Sequence, residues 1–337
     1  MIQMRLVAFA VVAGTAALLC NGREAAALDK VKMTIAAASS NYAPFLNAIE
    51  QGYFKDEGLD VEVVNAGGGV ATPALLSGQV DFSTSESSAF SAIMKGGSLK
   101  VILIEADRPT FQLWTTSDDL KTLESLKGKT VGIQTRGDTF EIWVRLVLKA
   151  HGMSGDEVGY TALGFGDAAR LATIKTGSLP AVVLSSLDVS VLRDAGVPFR
   201  GHLLENAMES NILMAFNGVA TSDALIKANP DLVLRFTRAT LKGMRFMVAY
   251  REKTIDNVIK YNKSDRHSTE VDYNDVVRTL TKDGSVPPAV EQEEADLRAE
   301  LVKLPKDKIP PLDHMYDFSF VQKANASLEA EHWKPQL

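Results

Sequence analysis

Apolar and polar positions follow a repeating order along Met33–Asp81. A short apolar run gives way to the turn Ser39-Ser40-Asn41-Tyr42, then come an amphipathic helical segment, Gly58, a β-branched run, the glycines Gly67-Gly68-Gly69 and a second helical segment. That order predicts a βαβα unit, which builds a parallel sheet covered by helices and binds ligands beyond the carboxyl ends of its strands. The turn Ser39–Tyr42 is therefore a candidate pocket wall. The glycine run lacks the Lys-Ser/Thr of a phosphate loop and reads as a turn, centred on Gly68, that lets backbone approach a cleft.

The same alternation returns later in the chain. Thr130–Gln134 is apolar and β-branched, residues 135–139 form a polar turn, and Phe140–His151 continues at helical spacing until Gly152. Tyr160–Leu163, the turn Gly164-Phe165-Gly166-Asp167, a helix to Thr176 and the strand Ala181–Leu184 complete a second unit. The extended runs Phe111–Thr116 and Ile212–Thr221 flank it and are expected to cross between two lobes. Beyond Thr221 the pattern is mostly helical, with Asn229-Pro230 and Pro287-Pro288 as helix starts. The fold expected is α/β, two lobes joined by a two-crossing hinge with the ligand in the cleft between them.

The amino-terminal segment points to export. Arg5, the apolar stretch Leu6–Leu19 and Ala25-Ala26-Ala27 read as a signal peptide over residues 1–27, too short for the ~20 residues of a membrane span. A periplasmic location and no stable membrane insertion after processing are expected. About 310 residues would then remain of 337, more than one core of ~250–300 residues supports, which favours two lobes. Cys20 is the single cysteine and lies in the segment to be removed, so disulfide, thiolate and cysteine-metal chemistry are not expected. A net charge of -6 argues against nucleic acid as partner. The five histidines never fall at i, i+3 or i+4, and no H-E-x-x-H, G-x-S-x-G or S-x-x-K occurs, so neither a zinc centre nor a catalytic constellation is visible.

Candidate binding groups sit at strand ends, where helix N-termini offer unpaired N–H groups with partial positive charge. Ser40, Asn41 and Tyr42 precede the first helix, Arg136, Asp138 and Thr139 precede the first helix of the second lobe, and Gly166-Asp167 opens the next. Ser40 or Asn41, Asp138 and Asp167 serve equally well as helix caps. Ser85, Glu86 and Ser87 lie in the Ser-rich stretch after Phe82; a Glu86 facing the pocket would repel an anion and suit an amine, a hydroxyl donor or a ligand cation, and the favoured reading is a solvated carboxylate at a helix N-terminus. Arg136 is the best candidate for a clamp on a carboxylate or sulfonate, with a solvated surface arginine as the alternative and Arg108 as a rival. Tyr42, Phe111, Trp114 and Phe165 are the aromatic candidates. The acidic run Glu291, Glu293, Glu294 and Asp296, followed by Arg298, reads as a solvated helix face. Gly164–Ala169 matches G-x-G-x-x-A with Asp188 about 20 residues on, a dinucleotide fingerprint weakened by its position in mid-chain and by the charge of Asp167.

Ordered fragments across the chain carry a resemblance: Pro44 and Ala48 with Gly52-Tyr53-Phe54, Glu57-Gly58-Leu59 and Val61-Glu62; Leu75-Leu76-Ser77-Gly78 with Val80-Asp81; Leu126-Lys127-Gly128-Lys129 with Val131-Gly132; and Asn229-Pro230-Asp231. In these the chain resembles the periplasmic substrate-binding proteins of ABC importers, more narrowly the branch that includes nitrate, taurine, alkanesulfonate and thiamine-precursor binders. The resemblance implies a type II periplasmic-binding-protein fold, with 28–112 plus 218–337 as one lobe and 113–217 as the other. It implies ligand contacts at Ser85, Glu86 and Ser87. The chain departs from the family after Gly177, where Leu179–Leu187 replaces the usual pattern, so the wall around Ser186 differs and the ligand cannot be carried over. The expected function is capture of a small polar or anionic organic ligand by hinge closure, without cofactor and as a monomer, for the permease and ATPase of an ABC importer. The alternatives are an enzyme of the thiamine-precursor synthase type on the same fold and a ligand sensor for another membrane partner.

Overall fold

Strands form where β-branched and apolar residues cluster, and they assemble into two five-stranded sheets. The computed structural model describes residues 27–36, 39–164 and 167–337; the segment read as a signal peptide lies almost wholly outside them. The strands are β1 (Asp29–Ile35), β2 (Leu59–Asn65), β3 (Phe82–Ser83), β4 (Leu99–Ala106), β5 (Phe111–Thr115), β6 (Thr130–Ile133), β7 (Gly159–Ala162), β8 (Ala181–Ser185), β9 (Leu203–Asn206) and β10 (Phe216–Ser222). The first sheet has the order β2-β1-β3-β10-β4 and the second β7-β6-β8-β5-β9.

The two sheets share a plan. In the first, β1 runs parallel to β2 and β3 while β10 is antiparallel to β3 and β4. In the second, β6 runs parallel to β7 and β8 while β5 is antiparallel to β8 and β9. Each sheet thus places an antiparallel strand in fourth position, β10 reached on leaving the second sheet and β5 reached on leaving the first.

That arrangement corrects one expectation. The runs Phe111–Thr116 and Ile212–Thr221 are not crossings as wholes, because β5 and β10 are hydrogen-bonded on both sides within their sheets. The crossings are shorter, residues 107–110 between β4 and β5 and residues 207–215 between β9 and β10.

Each sheet is buried under its own helices. In the first lobe the Pro230–Ala249 helix packs Phe236 and Phe246 against the sheet and the Ala43–Glu50 helix, with Phe236 stacked on Phe82 at 3.7 Å. Asn229 caps that helix by accepting the Leu232 N–H at 3.1 Å. The second lobe centres on Trp143, Val147 and Val183, each fully buried and so worth roughly 1.5–3 kcal/mol of transfer free energy or more for the indole.

The Pro288–Val302 helix belongs to neither lobe alone. Leu297 enters the second-lobe core, Val290 and Ala295 enter the core around β4, and Glu293 meets Lys149 at 2.6 Å. Its acidic run is consequently not a solvated face: Glu291, Glu294 and Arg298 are buried, and Arg298 pairs with Glu294 at 2.6 Å. Among the described residues no helix is long and apolar enough to cross a membrane.

Candidate functional site

The carboxyl ends of the parallel strands in the two sheets face one another across a cavity of about 480 Å³. Several helices begin at its rim: Gly68–Leu76 and Glu86–Ile93 from the first lobe, and Thr139–Ala150, Ala168–Thr176 and Ser186–Asp194 from the second. Such ends bring unpaired N–H groups and partial positive charge to a shared space. Gly68 is required there, since a Cβ on it would lie 1.9 Å from Ser88 Oγ.

The first-lobe wall holds Asn41, Tyr42, Thr84, Ser85 and Glu86. Ser85 Oγ, Glu86 Oε1 and Asn41 Oδ1 are buried without hydrogen-bond partners. Glu86 is only 5% exposed. Burial, then the neighbouring Glu294, pushes its carboxyl up to about 8, with Arg298 and the N–H groups of Ser87 and Glu86 opposing. It is therefore mainly neutral at pH 7. Beneath it on β4, Glu105 is buried with both oxygens unpartnered, and desolvation followed by the charge of Glu86 holds it well above the usual carboxylate range. Burial likewise raises the Tyr42 phenol. Asp272, from the Arg266–Val276 helix, fixes the preceding turn by accepting the Ser40 N–H at 2.7 Å and the Ser39 hydroxyl at 3.3 Å.

The buried charged groups of the second-lobe wall are paired within it. Asp138 accepts N–H bonds from Thr135 at 2.6 Å, Phe140 at 3.0 Å and Glu141 at 3.1 Å. Arg170 reaches Asp188 through Nε at 3.0 Å and Nη2 at 3.2 Å, a two-pronged pair with both partners buried. Asp188 also accepts the Ser185 N–H at 2.8 Å and donates its own N–H to Ser185 Oγ, a reciprocal capping box. Phe111, Phe140 and Phe216 supply the apolar part of the lining, with Phe111 4.2 Å from Phe140 between ring centroids.

Of the residues expected at the site, Asn41, Tyr42, Gly68, Ser85, Glu86, Ser87, Asp138 and Thr139 line this cavity. Ser40 and Ser186 do not: the Ser40 amide turns to Asp272, and Ser185 and Leu187 face the cavity on either side of Ser186. Gly166 and Phe165 lie outside the described residues. Arg136 is placed elsewhere. It is 54% exposed, pairs with Glu141 at 3.1 Å, and lines a neighbouring cavity of about 490 Å³. Arg108 is held by Asp107 and the Ser210 carbonyl. Glu86 also departs from the solvated cap expected of it, because it is buried at the cavity wall beside the charges of Glu294 and Arg298.

Sequence reasoning missed Arg170, Thr84, Asn217 and Asp272, and weighed Asp188 only as part of a dinucleotide fingerprint. That carboxylate is taken by Arg170 and Ser185 instead. Arg170 had a faint signal, since it falls within the first turn of a helix that opens at a strand end.

Comparisons with known proteins agree with this architecture. The model of the family described as NMT1/THI5 like matches residues 39–254. Riboflavin-binding protein RibY of Chloroflexus aurantiacus is 29% identical over 227 residues, 65% of this chain and 62% of that one, so the aligned part spans less than two thirds of the relative. Among solved structures, the periplasmic sulfonate-binding protein SsuA from Methylobacillus flagellatus KT has a TM-score of 0.72 at 16% identity, covering 92% of this chain and 98% of that one. The periplasmic nitrate-binding protein NrtA from Synechocystis PCC 6803 has a TM-score of 0.67 at 15% identity, with 90% of each chain covered. At those identities the two likenesses bear on the fold.

Proposed function

The chain belongs to the NMT1/THI5-like family, and from that premise we propose that it is an exported solute-binding protein that captures a small organic ligand between its lobes and delivers it to an ABC importer. One observation carries the reading: a single cavity of about 480 Å³ is walled by strand ends from both sheets, so each lobe holds only half of the contacts. A ligand first held by one wall gains the other half when the lobes close, which shifts the population toward the closed form. The links 107–110 and 207–215 are the expected hinge, because there the backbone runs between the sheets outside the strands of either. The importer reads the closed face.

Neighbouring names support the role. RibY, SsuA and NrtA are all named as binding proteins, and among the described residues the cavity lining contains neither histidine nor cysteine to serve a nucleophile–base pair. The oxyanion clamp expected at Arg136 is not part of this cavity, so we assign no sulfonate or nitrate to it. A micromolar dissociation constant, about -8 kcal/mol, is within reach of a few hydrogen bonds and an aromatic contact after the closure cost.

A screen of the processed protein against sulfonates, nitrate, aromatic carboxylates, amines, flavins and pyrimidines tests the proposal, with thermal shift as the first readout and small-angle scattering as the second. The expected result is one chemical class that raises the melting temperature and shrinks the radius of gyration together. Stabilisation without compaction would refute capture by closure.

A further inference from the structure

The charge of the cavity narrows the ligand beyond a small organic molecule. Among the described residues its lining carries carboxyl groups at Glu86, Asp138, Asp167, Asp188 and Asp272 against one guanidinium, Arg170. Arg170 already meets Asp188 through two N–H donors. Asp138 and Asp272 are occupied by backbone N–H groups, and Asp167 is exposed at the rim. Glu86 is different: Oε1 is buried, without a partner, at the cavity wall.

We infer that the ligand is a small organic cation, an ammonium group seated against the Glu86 carboxylate with its hydrocarbon part on Phe111, Phe140 and Phe216. The inference rests on the capture reading. An oxyanion entering this space would meet Glu86 and the exposed Asp167 with the Arg170 guanidinium already held by Asp188, while an uncharged ligand would take only a hydrogen bond from Glu86. A cation supplies a partner for the ionised form of Glu86, whose Oε1 has none, and aromatic faces favour cations further. The groups facing Glu86 do not neutralise it beforehand: Tyr42 and Glu105 are acids, and Arg298 is bound by Glu294 and by the carbonyl and hydroxyl of Ser87.

Linkage follows from this geometry. In the free protein burial keeps Glu86 protonated below about pH 8, whereas the bound cation requires it ionised. Binding therefore releases a proton below that pH, and affinity rises as pH increases toward about 8, by at most roughly tenfold per pH unit.

The test uses benzyltrimethylammonium, whose charge does not titrate, beside benzenesulfonate and benzamide as anionic and neutral counterparts. Calorimetry and small-angle scattering on the processed protein should show binding and compaction with the cation only. Its affinity should be at least tenfold greater at pH 8 than at pH 6, and Glu86→Gln should weaken it more than tenfold with an unchanged circular dichroism spectrum. Because the pH profile is measured on the unaltered protein, it decides the matter even if the variant misfolds. Compaction by benzenesulfonate or benzamide overturns the cation inference and leaves capture standing. Binding of none of the three overturns the cation inference as well, and capture is then judged by the wider screen. A flat pH profile or an affinity that survives Glu86→Gln is equally fatal to it.

Discussion

The two walls of the cavity are made of the same parts, strand ends followed by helix N-termini, yet their hydrogen bonds are committed in opposite ways. In the second lobe Asp138, Arg170, Asp188 and Ser185 are bonded to one another or to nearby backbone. In the first lobe Asn41 Oδ1, Ser85 Oγ and Glu86 Oε1 are buried with no partner. A buried polar group without a partner costs about 1–3 kcal/mol, so a fold keeps one only where something else is served. The contrast teaches that the second wall spends its buried charges on its own structure, whereas the first holds unmet bonding capacity that a ligand can satisfy.

The largest effect that separates the walls is expected at Arg170. Arg170→Ala leaves the Asp188 carboxylate buried beside Ser185 without its cation, and losing one partner of a buried pair costs about 3–5 kcal/mol. Urea unfolding should show a loss of that size in the free energy of unfolding extrapolated to water. Replacing both partners with apolar residues, Arg170→Met with Asp188→Leu, should recover most of it. A mild loss in the single variant would mean that the second wall is not the structural one.

Glu86→Gln should act through pH rather than through packing. The folded carboxyl is raised to about 8 from an ordinary 4.5, so between those values the native state holds a proton that the unfolded chain has released. Unfolded chains then bind fewer protons, and stability falls as pH rises through this window. Relative to the variant, the natural protein should lose on the order of a few kcal/mol between pH 4.5 and about 8, and lose nothing further above it. Parallel stability curves for the two proteins would show that Glu86 titrates normally.

Gly68→Ala comes next. The added methyl would collide with Ser88 Oγ, and overpacking of this kind costs about 1–3 kcal/mol. Its neighbour Gly69 has open space where a Cβ would go, so Gly69→Ala should be far milder. Comparable melting temperatures for the two variants would remove the close approach of the Gly68–Leu76 and Glu86–Ile93 helices as a constraint on the first wall.

The same contrast explains what was legible in the amino-acid order. Strand runs, helix starts and caps are local, so the βαβα units, the Asn229-Pro230 start and the turn at Asp138 could be read directly. The fate of a charged side chain is not local. Glu86 looked like a solvated cap because the charges that act on it, Glu294 and Arg298, lie some 200 residues away in the chain. Arg298 looked solvated for the same reason, until the Pro288–Val302 helix proved to be wedged between cores. The strand runs beside the second unit were read as crossings because an isolated apolar run carries no sign of how many ladders it joins.

Arg136 and Arg170 pose the sharpest form of that limit, since both follow a strand end near a helix start and only direction tells them apart. Arg170 is in the first turn of its helix and folds back onto the Phe140 ring and Asp188. Arg136 stands two residues before its cap, ahead of Gly137 at φ 77°, and is drawn outward to Glu141 and the face of Tyr160. Glu141 keeps Arg145 at 3.0 Å when Arg136 is removed, so no buried carboxylate is stranded. Arg136→Ala should therefore cost less than about 1 kcal/mol, the scale of an exposed pair. Affinity for whatever ligand the screen identifies should stay within about twofold, because a lost exposed ion pair outside the cavity removes no bond to that ligand. A tenfold loss of affinity in that variant would mean that the ligand reaches from the main cavity into the neighbouring one, past Thr135 and Asp138, which line both.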